Sequence, residues 1–258
     1  MIVLNHPQGS DDWLRARVGV CTASRFSDAR GKLTKASKNG NAGDPNVDAI
    51  KYGWLLAVEA IAREPLDETF VTYAMKRGRE LEPQARAVYE ARTGAWIEEA
   101  SLVLTDDERF GYSTDGLRDD DGLIEIKCPL ACDKLGAIWS SPETAHLEYI
   151  DQINGGLWIT GRKYCDLIVY CPWLSPVGKD LFVKRIYRDE AAIEALEADL
   201  VGFMRMVDAN LAVLRTPTKM SGAPKDAPAA VAATEPPPWT EPAKAAPRAA
   251  ELIADPFA

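Results

Sequence analysis

The segment Gly122-Leu123-Ile124-Glu125-Ile126-Lys127 constrains this chain more than any other. Its apolar residues suit a strand inside a sheet, yet it carries two charges. On an extended strand, residues i and i+2 point to the same face. Glu125 and Lys127 therefore share a face, while Ile126 points the other way, into a core. An acidic turn followed by Glu-x-Lys is common on exposed strands, but a charged pair on an internal strand needs a reason. Ser113-Thr114-Asp115-Gly116 lies upstream, across a turn rich in Gly and Asp. A hairpin would set the Asp115 carboxylate, at the end of the preceding strand, beside Glu125. Adjacent carboxylates repel unless a cation sits between them. Such hard oxygen donors suit Mg²⁺, which takes one or two carboxylates and keeps its other positions for water and phosphate. A neighbouring lysine can orient a water, lower its pKa or stabilise charge on phosphate. Glu82, in an upstream helix, offers a third carboxylate.

The surrounding pattern predicts an α/β fold: a mixed central sheet flanked by helices. Ser10 to Arg17 reads as a short helix capped by Ser10 or Asp11. Thr22 or Ser24 caps a second, running to about Arg30. Residues 31–46 read as a mobile loop. Helices follow at about 47–63 and 73–93, the second closed by Gly94. Trp96–Leu104, Gly111–Thr114 and Leu123–Lys127 read as three strands of a meander. Helices at about 133–140 and 143–160, strands at Cys165–Tyr170 and Leu181–Tyr187, and a helix at about 189–214 complete the folded part. From Thr216 onward Pro and Ala dominate, including Pro236-Pro237-Pro238. That composition predicts a disordered tail, so the chain divides into a domain at 1–215 and a tail at 216–258. The last eight residues, Glu251–Ala258, regain apolar character and suit a docking peptide.

Composition narrows the function classes. No apolar run approaches the ~20 residues of a membrane span. The first nine residues lack a signal peptide's pattern, so a cytoplasmic location is expected. The five cysteines are an odd number, against a disulfide framework, and their spacings with the isolated His6 and His146 do not suit zinc. They read as small buried hydrophobes. The net charge of −9 is the wrong sign for a nucleic-acid binder. Residues 1–40, however, hold seven Lys or Arg against three Asp, a local balance of +4. Charge placement matters more than its sum.

Five stretches in order resemble the phage lambda exonuclease and YqaJ-type viral recombinase family, within the PD-(D/E)XK nuclease superfamily. They are Trp13–Ser24, Gly78–Arg86, Ser113–Leu117, Leu123–Pro129 and Tyr149–Asn154. The resemblance runs from about Asp12 to Arg215. It implies a restriction-endonuclease-like core in which Asp115, Glu125 and the Ile126 carbonyl bind Mg²⁺, or Mn²⁺ in its place. Glu82 would help hold a second ion. Lys127 and Gln152 would position and activate the attacking water, while Arg17, Ser24, Ser113 and Tyr149 would contact DNA or its phosphates. The implied enzyme is an exonuclease that degrades one strand of linear duplex DNA, 5′→3′. It would work as a ring-shaped homotrimer with a single-strand annealing partner in phage recombination. Thr114 replaces an expected proline, and Asn154 a frequent glutamine.

Rival readings are a CRISPR-adaptation or restriction-type nuclease of the same superfamily, or a DNA-end-binding protein with a decayed site. Adaptation nucleases carry one early and three late cysteines, whereas Cys171 here precedes a cysteine-free C-terminus. The intact Glu82, Asp115, Glu125, Lys127 and Gln152 set argues against decay. Trp13 reads as core in preference to a base-stacking residue. Tyr149 fits phosphate contact and packing equally. Arg77 and Arg79 read as a solvated face.

Overall fold

Polar caps and glycines set the element limits. The computed structural model describes residues 1–36, 38, 40–66, 73–99 and 101–217. After β1 (Ile2–Leu4), the Ser10 side chain accepts the Trp13 N–H and opens α1 (Asp11–Ala16). β2 (Cys21–Thr22) leads into a 3-10 turn at Ala23–Arg25 and a short α2 (Phe26–Ala29). The Thr22 side chain makes no cap bond there, contrary to expectation. Asn46 caps α3 (Val47–Ala62), and α4 (Tyr73–Thr93) is followed by Gly94 at φ +68°. Then come β3 (Ile97–Glu98), β4 (Leu102–Leu104), β5 (Phe110–Ser113), β6 (Gly116–Arg118) and β7 (Gly122–Lys127). α5 (Cys132–Ser140), α6 (Ile150–Thr160), β8 (Tyr164–Tyr170), β9 (Leu181–Tyr187) and α7 (Glu190–Arg215) complete the order.

The mixed α/β class is as expected, but the strands form two sheets. One has the order β1-β4-β5-β2; the other is β3-β6-β7-β8-β9. β7 lies inside the second sheet, antiparallel to β6 and parallel to β8. The expected meander is therefore corrected. Its first run, 96–104, breaks into β3 and β4, which join different sheets. Glu98 and Glu99 explain the break. Neighbouring strand residues face opposite sides, so an unbroken strand would send one carboxylate into the core. The segment between Asp115 and Glu125 supplies its own hairpin, β6–β7. The helix expected from 143 starts at Ile150, because Ser141 and Thr144 divert the chain into turns: Thr144 bonds back to the Ser141 carbonyl. The loop at 31–46 is drawn together by paired backbone bonds between Leu33 and the Gly43–Asp44 segment. The tail from 218 onward, and with it the apolar end at 251–258, lies outside the described residues.

Two apolar layers sandwich the second sheet. Ile124, Ile126, Ile168 and Tyr170 pack with Ala85 and Tyr89 of α4. Leu123, Leu167 and Val169 face the larger core, with Ile153 and Leu157 of α6 and Leu196, Leu200 and Phe203 of α7. Alternation along β7 thus gives Glu125 and Lys127 to the α6 side. Two glycines let α6 approach closely. A Cβ at Gly156 would meet the Tyr112 ring at 2.8 Å, and one at Gly155 the Phe26 ring at 2.5 Å. Among the described residues no helix is long and apolar enough to cross a membrane.

Two sequence readings need amendment, and one residue gains a role. Arg77 is not solvated: it is 9% exposed, with its guanidinium 4.4 Å from the centroid of the Trp173 ring. Cys21, Cys165 and Cys171 are buried as expected, but Cys132 is exposed. Asp166, a lone acid in an apolar strand, is the hub of a buried ion cluster. It accepts from Tyr89 on α4 at 2.5 Å, from Arg118 on β6 at 2.7 Å and from Arg185 on β9 at 2.7 and 2.8 Å. Burial alone would raise its pKa, but the Arg185 and Tyr89 bonds outweigh it and hold the carboxyl below its ordinary value. Its stabilising effect is therefore present above the unfolded value and fades as pH falls through the lowered one. Removing one member of a buried ion cluster costs on the order of 3 kcal/mol or more. Asp166→Ala should lose stability of that order in urea unfolding at neutral pH, and the loss should shrink on acidification.

Candidate active site

Asp115 reaches Glu125 because of register. It occupies the link between β5 and β6, and Gly116 pairs with Ile124 in the β6–β7 hairpin. The next position along each strand is Asp115 and Glu125. Asp115 Oδ2 accepts the Ile126 N–H at 2.6 Å, which locks the carboxylate to β7. The departure from proline at Thr114 has a local explanation. Its buried hydroxyl bonds both the Gly116 N–H and the Gly116 carbonyl, at 3.1 and 3.0 Å, and closes the turn.

Glu125 is 2% exposed and fully engaged. Oε1 accepts from Gln152 Nε2 at 2.6 Å and pairs with Lys127 Nζ at 2.9 Å. Oε2 accepts from the Tyr112 hydroxyl at 3.0 Å. Lys127 Nζ also donates to Gln152 Oε1 at 2.9 Å, closing a triangle of side chains from β7 and α6. Tyr149 stands at the start of α6 with its ring 5.1 Å from the Lys127 ammonium, so the structure gives it a role against lysine. Sequence reasoning missed Tyr112. The signal was available, since alternation along Phe110–Ser113 separates it from its neighbours, but only the two-sheet arrangement aims it at Glu125.

The N-terminal residues close the other wall. Arg17, Ser24, Asp115, Glu125, Lys127 and Gln152 line one cavity of about 210 Å³, together with Glu82, Ser113 and Ile126. Arg17 donates to Thr22 Oγ1 at 3.3 Å, and its guanidinium lies 4.2 Å from the Trp13 ring centroid. Trp13 is buried, as the core reading expected, although it also reaches the cavity wall. Thr22 and Ser24 hydroxyls are 3.5 Å apart. The Ser113 hydroxyl is buried and has no partner among the described residues. Nine of the ten residues singled out in the sequence therefore meet at one cavity, and Tyr149 is one contact behind. Glu82 has a partner within its own helix. Its carboxylate pairs with Arg86 at 2.9 Å, and Arg86 also donates to the Asp115 carbonyl at 3.0 Å.

The electrostatics favour a bound cation. Burial raises the Asp115 pKa well above the carboxylate range, and repulsion from Glu125 and then Glu82 adds to it. Burial also raises Glu82, against the pull of Arg86. Burial would lower the Lys127 ammonium, but Glu125 and Asp115 outweigh it and raise its pKa. Lys127 is thus a positive charge at neutral pH. Among the described residues no three His, Cys, Asp or Glu side chains form a ready-made cage. The carboxylates of Asp115 and Glu125 on one cavity fit Mg²⁺, which keeps much of its water.

Comparisons with known proteins identify the family. Residues 12–163 match the YqaJ-like viral recombinase domain. An alkaline exonuclease from Laribacter hongkongensis, LHK-Exo, superposes with a TM-score of 0.67 at 32% identity, over 80% of this chain and 96% of that one. Its complex with dAMP gives the same TM-score at 33% identity, with the same coverage. A phage-related exonuclease from Haemophilus somnus 129PT shares the fold, with a TM-score of 0.59 at 14% identity, over 76% and 96% of the two chains. No curated protein matches the chain. The fold and its relatives define a DNA exonuclease. The chain belongs to the YqaJ-like viral recombinase family.

The metal-free site should be strained by its own charge. An acid whose folded pKa is raised opposes folding above its unfolded pKa, increasingly as pH rises towards the folded value. Asp115→Asn can keep the Ile126 bond without the charge. At pH 8 in EDTA it should melt higher than wild type, by about 2–4 °C for each kcal/mol relieved. Added Mg²⁺ should raise the wild-type melting temperature and leave the variant nearly unmoved. Tyr112→Phe should weaken this Mg²⁺ response by about ten-fold or more in ion concentration, as loss of an outer partner to a metal ligand does.

Proposed function

We propose that the chain is a divalent-metal-dependent exonuclease that degrades one strand of linear double-stranded DNA from its 5′ end. The observation that carries the reading is the shared cavity. One wall holds Asp115, Glu125, Lys127 and Gln152; the other holds Arg17 and Ser24. Asp115, Glu125 and the Ile126 carbonyl would hold Mg²⁺, or Mn²⁺, with Glu82 near a second ion. Such an ion polarises the phosphodiester and acidifies water.

The chain's own residues do the rest. Lys127, already protonated, acts as a fixed positive charge that orients water and the scissile phosphate. Gln152 holds both Lys127 and Glu125, so it keeps charge and carboxylate in register. Tyr149 confines the lysine from behind. Arg17 takes a terminal phosphate, because its planar fork can bond two oxygens at once. Ser24 and Ser113 add hydroxyl donors. In this reading residues 1–215 suffice for cleavage and 216–258 do not take part. Family membership supports the remaining parts: a homotrimer around DNA, a single-strand annealing partner, phage-type recombination and the host cytoplasm.

Linear duplex labelled at the 5′ or the 3′ end separates the alternatives. Mononucleotide should be released from the 5′ label first, in Mg²⁺ and not in EDTA. Release from the 3′ label first would reverse the polarity, and internal cutting would favour a restriction-type enzyme. Lys127→Ala should slow cleavage on the order of 10²-fold or more while leaving DNA binding in Ca²⁺ largely intact. Wild type should prefer a 5′-phosphate over a 5′-hydroxyl end, and Arg17→Ala should lose most of that preference. Arg17→Lys should recover only part of the rate, since lysine acts as a point charge.

A further inference from the structure

Trp173 and Arg77 form a second cluster near the cavity that the cleavage chemistry does not use. Trp173 lies in the 3-10 segment Pro172–Val177 that follows β8. β7 and β8 are parallel, so both strands end at the same edge of the sheet. Lys127 ends β7, and Trp173 follows the end of β8. Arg77, on α4, bridges the two: its Nη1 donates to the Cys128 carbonyl at 3.4 Å, and its guanidinium lies against the Trp173 ring. Cys128 is the residue next to Lys127.

Two features of this cluster call for a ligand. Trp173 is 61% exposed although a cation backs one face of its ring. Most of the indole is therefore open to solvent. Trp96 is more exposed still, at 80%, but among the described residues no cation backs its ring. Arg77 is 9% exposed, and among the described residues no carboxylate pairs with it. A buried charge is costly unless paired. The ring contact and a long bond to the Cys128 carbonyl hold it behind the indole, where its charge strengthens the stacking surface.

We propose that Trp173, backed by Arg77, forms a subsite for one unpaired nucleotide of the DNA substrate, the base stacking on the face of the indole away from Arg77. This rests on the exonuclease reading. An indole offers a flat surface to any base, and a guanidinium behind the ring fixes its orientation. A base can stack there only when free of its partner, so the subsite favours DNA with a single-stranded part. Digestion of one strand of a duplex produces such a part at every step. The subsite accepts any sequence, because every base has a stacking face and nothing here reads its edge.

The test measures binding of fluorescein-labelled DNA to the full chain in Ca²⁺, using a blunt duplex, the same duplex with a single-stranded extension at either end, and a single-stranded oligonucleotide. Trp173→Ala should bind extended and single-stranded DNA about ten-fold more weakly and blunt duplex nearly as before; Trp173→Phe should keep most of the affinity. Single-stranded DNA should quench the tryptophan fluorescence of wild type more than that of Trp173→Phe, a readout that a packing role for the indole would not move. Because Trp173 is exposed, Trp173→Phe should melt with wild type, which keeps the comparison valid if the alanine variant unfolds. The subsite is overturned if Trp173→Ala binds extended DNA as wild type does. Equal losses on blunt and extended DNA, or quenching that is the same with Phe at 173, also overturn it. Failure of the exonuclease reading looks different: wild type would then leave linear duplex intact in Mg²⁺.

Discussion

Glu125 is a carboxylate held at 2% exposure on an internal strand, and the rest of the site depends on satisfying it. A buried carboxylate that lacks partners is expensive, so each of its oxygens must find donors. Three elements supply them: Tyr112 from β5, Lys127 from β7 and Gln152 from α6. Each bond also fixes an element. Tyr112 ties the first sheet to the second, and Gln152 draws the start of α6 over the edge of β7. The glycines at 155 and 156 allow that approach, since side chains there would collide with Phe26 and Tyr112. The cavity is the gap that remains where these elements meet the N-terminal turn at Arg17–Ser24.

The opposite face of the same sheet carries a matching arrangement. Asp166 is buried on β8 and saturated by Tyr89, Arg118 and Arg185. Tyr89 lies on α4 seven residues beyond Glu82, and Arg118 lies on β6 three residues beyond Asp115. The cluster therefore fixes, from behind, the helix and the strand that present two of the three site carboxylates. Arg86 joins the same two pieces at the front, through Glu82 and the Asp115 carbonyl. Repulsion among the carboxylates, expressed in the raised pKa of Asp115, is sustained because these contacts prevent the elements from moving apart.

Most of the site was legible because its chemistry is periodic and local. The i, i+2 rule put Glu125 and Lys127 on one face, and a short acidic turn returned Asp115 to them. Glu82 was visible as a third carboxylate, but the resemblance to the family supplied Arg17, Ser24, Ser113 and Gln152, whose distance from the strand hides them from pattern alone. The misreadings have a common cause. Arg77 looked like a surface residue because arginine usually is one. Only the segment after β8, brought in by a parallel crossover, covers it with Trp173.

The sequence by itself determined most of the longer helices and the strands β7, β8 and β9, and that an internal strand must carry a carboxylate and a lysine on one face. Those outcomes follow from interactions between residues a few positions apart. Tertiary structure alone decided that the strands divide into two sheets, that Tyr112 caps Glu125, and that Asp166 gathers two arginines and a tyrosine. It also decided that Arg86, one helical turn from Glu82, reaches the Asp115 carbonyl. Each of these joins groups from separate elements or depends on how those elements pack. Their pairing is chosen by which arrangement leaves no buried charge unsatisfied, and that condition is met only when the whole chain has packed.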